Sequence, residues 1–234
     1  SGYATAANSV ALQSDYTTVS FWVKVNSLPG SGEVYLLSNG GWQERWKISL
    51  PAHGKPVFTT YATTCCSDMD SGTGNELPIG VWKHVVMVHD GAKDKIFMNG
   101  VLVNEKSTTG ALHKTKYPLG LGYDPIDNGS FFDGSLDDVQ IYNRALSDAE
   151  VTALYVAQNQ VPVIPGTLVA HYPFSGDGSD VTAYSNNIAT FNASLASDRF
   201  GKVNKAVSLN GSTSEVTAAN SPQLAEVPAD ASRA

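Results

Sequence analysis

The sequence predicts an all-β protein with one short helix. Short runs of alternating apolar and polar residues, typical of half-buried strands, recur along most of its 234 residues. Turn-forming Gly, Asn, Asp and Pro separate these runs, and one segment carries a helix-capping pattern. Hydrophobic residues make up 42% of the chain and charged residues 16%, a balance that favours a folded domain over disorder.

The first strands lie in the opening 62 residues. In residues 19–25, Phe21 and Val23 fall on one face and Trp22 falls on the other, as alternation along a strand requires. The same reasoning predicts further strands at residues 33–37, 46–50 and 57–62.

A second series of strands follows after a loop. Residues 82–88 form a strong strand pattern, and Asp90-Gly91 then predicts a turn into residues 95–98. Asn99-Gly100 predicts a type I′ hairpin turn, because both positions of that turn need a positive φ. The remaining strands of this series are predicted at residues 101–104, 119–123 and 134–142.

One helix is predicted after the last of these strands. Ser147 and Glu150 have the spacing of a capping box, and Val151, Leu154 and Tyr155 give the segment an apolar stripe. A helix of only about two to three turns is stable when it docks on a larger body, so we expect it to lie against a sheet.

The chain continues with a linker and a second group of strands. Pro162 and Pro165 remove backbone donors and stiffen residues 159–167, which predicts an extended linker. Residues 213–234 are rich in Ala, Pro, Asp and Ser and are predicted to be a tail. Between the linker and the tail, strands are predicted at residues 168–174, 189–193 and 206–209.

Three stretches carry a family resemblance. They read VSFWVK at residues 19–24, GVWKHVV at 80–86 with FMNG at 97–100, and FDGSLDDVQIYNRALS at 132–147. Together they resemble the bacterial LamG-like jelly roll, a branch of the laminin G-like, concanavalin A-like lectin/glucanase superfamily. The resemblance covers residues 15–157 and implies a two-sheet antiparallel jelly-roll sandwich with one short helix.

Residues 168–211 resemble the opening part of the same family, although they follow its closing part here. LVAHYPF at residues 168–174 is similar to the family's first strand. We therefore predict that residues 1–158 hold the C-terminal two-thirds of a jelly roll and that residues 168–212 hold an N-terminal third. The late segment is expected to complete the sandwich, either within one chain or by a swap between two chains.

An internal echo accompanies this order. AANS at residues 6–9 recurs at residues 218–221, an offset of 212 positions (218 minus 6), and Leu12 and Leu224 keep the same offset. The echo predicts a tandem array of repeats that the chain cuts in mid-repeat.

The resemblance also implies a structural calcium ion, held by Asp137, Asp180 and Asn187. Asp137 precedes Val139 by two positions, which predicts that it shares the core-facing row, where an unpaired carboxylate is costly. Hard oxygen atoms of the kind found in the loop of residues 177–187 suit calcium. The alternative is that Asp137 only caps a turn and that the loop is merely polar.

A group of aromatic and polar residues forms the main candidate ligand site. Sugars bind to aromatic faces through their apolar side and to carboxylates and amides through their hydroxyls. The alternative is that Trp46 and Tyr61 belong to the core and that the adjacent cysteines, as a disulfide or as thiols, only stiffen a turn. The candidates are Trp42, Arg45, Trp46, Tyr61, Cys65, Cys66, Asp68 and Asp70, with Tyr123 and Asp124 as a second rim.

Catalytic signatures are missing from the sequence. Glycan hydrolases with this fold place three carboxylates on one strand as Glu-x-Asp-x-x-Glu, and no strand here has that pattern. The Arg, Gln-x-His and Tyr-x-Lys sets of related lyases are also missing, as is a G-x-S-x-G nucleophile motif. We therefore expect a protein that is not an enzyme.

Charge and hydropathy limit the partners. The net charge of −7 argues against nucleic acid and against an anionic membrane surface, and no apolar run is long enough to insert into a bilayer. We expect a bacterial protein, secreted or on the cell surface, that is a monomer or a swapped dimer. The first hypothesis is a calcium-stabilised, lectin-like module that binds a glycan or polysaccharide. The second is a structural or protein-adhesion spacer of a tandem-repeat adhesin, with a protein surface as its partner.

Overall fold

A computed structural model of the chain describes residues 2–6, 9–63, 66–157, 168–182, 187–210 and 214–218. Two α-helices, α1 (Gly41–Glu44) and α2 (Asp148–Val156), and a 3-10 turn (Val10–Gln13) accompany the strands in these residues. The strands are β1 (Gly2–Ala6), β2 (Thr17–Val25), β3 (Glu33–Asn39), β4 (Trp46–Pro51), β5 (Val57–Thr60), β6 (Ser67–Asp70), β7 (Trp82–His89), β8 (Lys93–Met98), β9 (Val101–Ser107), β10 (Leu119–Leu121), β11 (Asp133–Tyr142), β12 (Leu168–Tyr172), β13 (Ile188–Asn192), β14 (Ser194–Ala196), β15 (Ala206–Asn210) and β16 (Ser214–Ala218).

These strands form two sheets, as predicted. Sheet A has the order β13-β16-β1-β10-β3-β4-β5-β6. Sheet B has the order β14-β15-β11-β2-β7-β8-β9, and β12 also pairs with β11. Neighbouring strands in the described residues are antiparallel, with the single exception of β1 and β16. The prediction of an all-β, two-sheet antiparallel sandwich is confirmed.

The core lies between the two sheets. The alternation in β2 places Phe21 and Val23 in it, facing Leu36 and Ile48 of sheet A. Burial of side chains of this size stabilises the fold by roughly 1.5–3 kcal/mol each relative to exposure. Trp22, on the opposite face of β2, lies outside this core.

Helix α2 covers the outer face of sheet B. Its capping box is present, because Ser147 Oγ accepts a hydrogen bond from Glu150 N at 3.3 Å and Glu150 Oε2 accepts one from Ser147 N at 2.8 Å. Val151 and Leu154 pack in a second apolar cluster with Phe97 of β8. The predicted docking of this helix on a sheet is confirmed, and α1 is an additional short helix that was not predicted.

Strand β11 is the centre of sheet B. One of its edges pairs with β2. Its other edge pairs first with β15, opposite residues Asp133 to Leu136, and then with β12, opposite residues Val139 to Tyr142. The segment from 168 to 210 thus supplies strands to sheet B within the same chain.

The predicted linker and the predicted tail flank the late segment. The predicted linker, residues 159–167, lies outside the described residues. The predicted tail from residue 213 is wrong at its start, because Ser214–Ala218 forms β16 between β13 and β1. Neither helix of the described residues is long and apolar enough to cross a membrane.

Candidate functional site

Several loops meet around α1, the short helix between β3 and β4. Trp42 lies on this helix and is 44% exposed. Cys66 Sγ, from the β5–β6 loop, lies 3.3 Å from the carbonyl oxygen of Trp42. Gly41 has a φ of 64°, and a Cβ there would lie 3.2 Å from the Ile126 side chain of the β10–β11 loop. Helix α1 therefore presents an exposed indole where three loops come together.

Cys66 also lines a cavity of about 280 Å³. Ser67 Oγ and Thr108 Oγ1 are joined in its wall by a hydrogen bond of 2.9 Å. Lys106 Nζ, also in the wall, donates to the carbonyl oxygen of Asp68 at 3.0 Å. The cavity is lined by Ala62, Cys66, Ser67, Lys106, Ser107, Thr108 and Thr109.

Hydrogen bonds from His89 and Thr63 hold the cavity wall in place. His89 Nε2 donates to the carbonyl oxygen of Gly110 at 2.8 Å, and His89 Nδ1 lies 2.7 Å from Asp94 Oδ1. Thr63 Oγ1 donates to the carbonyl oxygen of Thr109 at 2.7 Å. Neither His89 nor Asp94 was predicted for this site, since their link to the cavity runs through the backbone of a distant loop.

Tyr61 lies beside this wall and is partly exposed. Its ring stacks on the ring of His113 with 3.8 Å between centroids. The backbone ties the same two residues, because His113 N donates to the carbonyl oxygen of Tyr61 at 2.9 Å. Tyr61 is therefore a surface residue, and the alternative that it belongs to the core does not apply.

Arg45 anchors the loop cluster from below. Its guanidinium is fully buried and donates to the backbone carbonyl oxygens of His113, at 2.6 Å, and Ser14. Burial lowers the pKa of Arg45 to about 10, against the opposing charge of Asp15. Arg45 was predicted to contact a ligand, but its position beneath the surface gives it a supporting role instead.

The other predicted ligand residues are dispersed. Trp46 is 1% exposed and belongs to the core, so the core alternative holds for this residue. Asp68 and Asp70 lie on β6, where Asp70 Oδ2 is 3.5 Å from Lys55 Nζ. Cys66 is disulfide-bonded, and Cys65 lies outside the described residues.

The second predicted rim is also mostly buried. Tyr123 stacks on Phe131 with 6.4 Å between ring centroids. Asp124 Oδ1 accepts a hydrogen bond from Ile126 N at 2.9 Å, and burial raises the pKa of this carboxyl group. The loop thus borders α1 through Ile126, while Tyr123 and Asp124 organise it from inside.

The predicted calcium region has a different geometry from the one expected. A register shift in β11 between Asp137 and Gln140, with a φ of 46° at Asp138, interrupts the alternation of the strand. Asp137 therefore pairs with Trp22 on the outer face, while Leu136 and Val139 both enter the core. The prediction that Asp137 shares the face of Val139 is wrong, because the bulge adds one residue between them.

Asp137 and Asp138 lie where the edge partner of β11 changes from β15 to β12. Arg199 enters at this point, with Nη1 3.0 Å from Asp137 Oδ2 and 2.6 Å from Asp138 Oδ2. The guanidinium carbon lies 4.6 Å from the Trp22 ring centroid and 4.5 Å from that of Phe200. Arg199 thus joins two neighbouring carboxylates while two aromatic rings cover it.

The pKa values of the two carboxyl groups are shifted in opposite directions. Burial, reinforced by the charge of Asp138, raises the pKa of Asp137 to about 7 against the effect of Arg199. Burial acts on Asp138 in the same sense, but a hydrogen bond from His171 and the charge of Arg199 outweigh it, so the pKa of Asp138 is lowered. Burial also lowers the pKa of the nearby His84 to about 4.

Asp180 and Asn187 organise their own loop. Asp180 Oδ1 accepts hydrogen bonds from His171 N at 3.0 Å and Thr182 N at 2.9 Å, and Asp180 Oδ2 accepts one from Thr182 Oγ1 at 2.9 Å. Asn187 Oδ1 accepts a hydrogen bond from Asp180 N at 2.9 Å. The oxygens predicted to hold calcium are thus engaged by protein donors.

The described residues do not fit the predicted calcium site. Calcium takes six to eight oxygen ligands, whereas Arg199 is already ion-paired with both Asp137 and Asp138. Among the described residues, no three His, Cys, Asp or Glu side chains converge as metal ligands would. The binding of calcium therefore stays a prediction.

A family model described as the concanavalin A-like lectin/glucanases superfamily matches residues 1–152. The chain belongs to this superfamily. The concanavalin A-like jelly roll inferred from residues 15–157 is thereby confirmed. No curated protein matches the sequence.

Solved structures of this type include two that resemble the chain over most of its length. A candidate carbohydrate-binding protein from Bacteroides ovatus ATCC 8483 is 14% identical with a TM-score of 0.60, over 89% of this chain and 56% of that one. The binding domain of Paraclostridial Mosquitocidal Protein 1 is 20% identical with a TM-score of 0.50, over 78% of this chain and 42% of that one. At these identities the likeness concerns the fold, and the chain spans only about half of either structure.

Proposed function

We propose that this concanavalin A-like chain is a non-catalytic carbohydrate-binding module that works outside the cell, secreted or on its surface. The observation that carries the proposal is the exposed side chain of Trp42, whose backbone carbonyl contacts Cys66, a residue that also lines the cavity with Ser67, Lys106 and Thr108. We call this surface the Trp42 site, defined by Trp42, Tyr61 and the cavity.

The chemistry of the Trp42 site suits a sugar. An aromatic face packs against the apolar face of a pyranose ring, and neighbouring hydroxyl groups exchange hydrogen bonds with the sugar hydroxyls. Trp42 supplies the aromatic face, and Ser67 and Thr108 supply hydroxyl groups at the cavity wall. Lys106 is the one charged side chain among the described lining residues, which favours a glycan that carries an acidic group.

Three further points support the proposal. The B. ovatus protein with the same fold is described as a candidate carbohydrate-binding protein. The disulfide at Cys66 is typical of an oxidising, extracellular environment. Glycoside hydrolysis needs two carboxyl groups across the scissile bond, and the described lining of the cavity includes none.

The proposal is tested by titrating a panel of neutral and acidic oligosaccharides in a calorimeter. Trp42→Ala is expected to weaken binding roughly 10-fold or more, as loss of a central aromatic contact does. Phe200→Ala is the matched control, since Phe200 is 45% exposed but lies on the β14–β15 loop. Equal affinity of the Trp42→Ala variant and the parent protein would refute the proposed site, provided that both melt at the same temperature.

A second candidate function is a spacer in a tandem-repeat adhesin, with a protein surface as partner. It is favoured by one observation, the pairing of β1 with β16 at the offset of the sequence echo. The two functions separate in the same titrations, because a spacer gives no saturable glycan binding at millimolar concentration in either variant.

A further inference from the structure

Strands β1 and β16 pair as equivalent positions of a repeat. Their register places Gly2 opposite Ser214 and Thr5 opposite Thr217, so that each pair differs by 212 positions. The sequence echo has the same offset, and it extends to TAANS at residues 5–9 and at residues 217–221. The two strands therefore occupy equivalent positions of the echo, with identical residues at Thr5 and Thr217 and at Ala6 and Ala218, and they are neighbours in sheet A.

The direction of this pair sets it apart. It is the one parallel pair among the strand pairs of the described chain, whereas β1 is antiparallel to β10 and β16 is antiparallel to β13. Parallel pairing is slightly less stable per residue than antiparallel pairing, and purely antiparallel sheets are over-represented among sheets. A single strand of this type between β13 and β10 would be antiparallel to both.

We infer that β1 and β16 are two occupants of one strand position, the position beside β10, and that β16 takes this position when β1 is absent. In the intact chain β1 occupies this position, so β16 pairs with the edge of β1 that faces away from β10. Neighbouring strands are about 4.8 Å apart, so the exchange requires β16 to move sideways by one strand width.

The covalent connection permits this movement. Strand β15, which precedes β16, lies against β1 across the sandwich. Packed sheets are about 10 Å apart, so the position of β1 lies about that far from β15. The present position of β16, one strand to the side, lies about 11 Å from β15. The backbone from Asn210 to Ser214 can reach about 14 Å. The position of β1 is therefore within reach of β16.

The strand position beside β10 is also a contact surface for a second copy of the repeat. In the intact chain β1 pairs with β10 and β16 pairs with β13, so a single strand in this position would pair with β13 on one side and with β10 on the other. In a polypeptide with consecutive copies, β16 of one copy has the sequence register of β1 in the next. One strand would then belong to both sheets and join the copies edge to edge, independently of the Trp42 site.

The test is a protein that lacks residues 1–8. In the intact chain Thr5 lies opposite Gly120 and Ala4 lies opposite Leu121. If β16 replaces β1 at the offset of 212, Thr217 lies opposite Gly120 and Val216 lies opposite Leu121. We expect a monomer with cross-strand nuclear Overhauser contacts between Thr217 and Gly120, which the intact protein lacks because β1 intervenes. Amide exchange at Leu121 is expected to stay within about tenfold of the intact protein.

Matched variants make every outcome decisive. Addition of Val216→Pro to the shortened protein removes the backbone donor that would face Leu121 in this register and should raise amide exchange at Leu121 by about 100-fold or more. The inference is overturned if the shortened protein shows no contact between Thr217 and Gly120, or if it makes this contact only as a dimer. It is also overturned if the shortened protein unfolds while a protein that lacks residues 211–234 stays folded, since β16 then cannot replace β1.

Discussion

The Arg199 guanidinium is ion-paired with the Asp137 carboxylate at 3.0 Å, although 62 positions separate the two residues. Asp137 lies on β11 in the middle of sheet B, and Arg199 lies on the loop between β14 and β15. Both side chains are at most 10% exposed. The pair therefore ties the late segment to the centre of the sheet, and removal of Arg199 leaves two buried carboxyl groups, Asp137 and Asp138, without their counterion.

The first prediction concerns Arg199→Met, which keeps an unbranched side chain between Trp22 and Phe200 but removes the charge. We expect the free energy of unfolding to fall by about 3–5 kcal/mol at pH 8, the usual cost of breaking a buried pair. The loss should be smaller at pH 5, where Asp137 is protonated. Urea unfolding of the variant and the parent protein at both pH values measures this difference in the free energy of unfolding.

Lys202→Met is the matched control for this variant, because Lys202 is an exposed cation of the same loop. It should change the free energy of unfolding by less than about 0.5 kcal/mol. An equal loss for Arg199→Met at pH 5 and pH 8 would show that the lost stability comes from packing and not from charge.

The second prediction concerns calcium. Because Arg199 is ion-paired with both Asp137 and Asp138, we expect the melting temperature of the parent protein to be the same with a chelator as with millimolar calcium. In Arg199→Met at pH 8 the two carboxylates lack their counterion, so calcium is expected to raise the melting temperature. A rise of several degrees in the parent protein would instead support the calcium site predicted from the family resemblance.

The third prediction concerns the pH dependence of stability. The pKa of Asp137 is about 7 in the folded protein, above its ordinary value of 3.8. The protonated form is therefore favoured by folding, and its stabilising contribution is complete below pH 3.8 and is lost as the pH rises through 7. The lowered pKa of Asp138 acts in the opposite sense, and its contribution is lost only at acid pH.

Asp137→Asn mimics the protonated carboxyl group and isolates this effect. The parent protein is expected to lose roughly 2–4 kcal/mol relative to the variant between pH 4.5 and pH 8. The groups that face Asp137 are Asp138, Arg199 and Asp198, and all three remain in the variant. If the curves of unfolding free energy against pH are parallel for the parent protein and the Asp137→Asn variant, the raised pKa of Asp137 is contradicted.

The fourth prediction concerns the ligand preference of the Trp42 site. Lys106→Gln is expected to weaken binding of acidic oligosaccharides about two- to fivefold, as loss of one exposed ion pair does, and to leave neutral ones unaffected. The salt dependence of acidic glycan binding should decrease at the same time. Lys202→Gln removes the same charge from another loop, and a similar loss in that control would point to net charge instead of a local contact.

The sequence predicts long, alternating strands better than short, polar ones. The patterns at residues 19–25 and 82–88 correspond to β2 and β7, both central in sheet B. Ser67–Asp70 and Ser194–Ala196 were missed, because their residues have little strand preference of their own. They are strands because β5 and β15 offer them a paired edge, which is a property of the assembled sheet.

The candidate site shows the same limit. Trp42 and Trp46 are four positions apart and look alike in the sequence, yet α1 ends between them and only Trp46 enters the core. Strict alternation placed Asp137 on the core face, because a bulge leaves no clear mark in a single sequence. Arg199 was not predicted, since its partners are set by the position of a loop distant in sequence.

The buried guanidinium of Arg45 has a consequence for recognition. It ties the backbone at Ser14 and His113 to the residue that follows α1, so the ring of His113 that stacks on Tyr61 is held in place before any ligand arrives. Little conformational entropy is then lost on association, and rigid surfaces of this kind select by shape. Discrimination among glycans should therefore show up mainly in dissociation rates, with association rates that vary little from one ligand to the next.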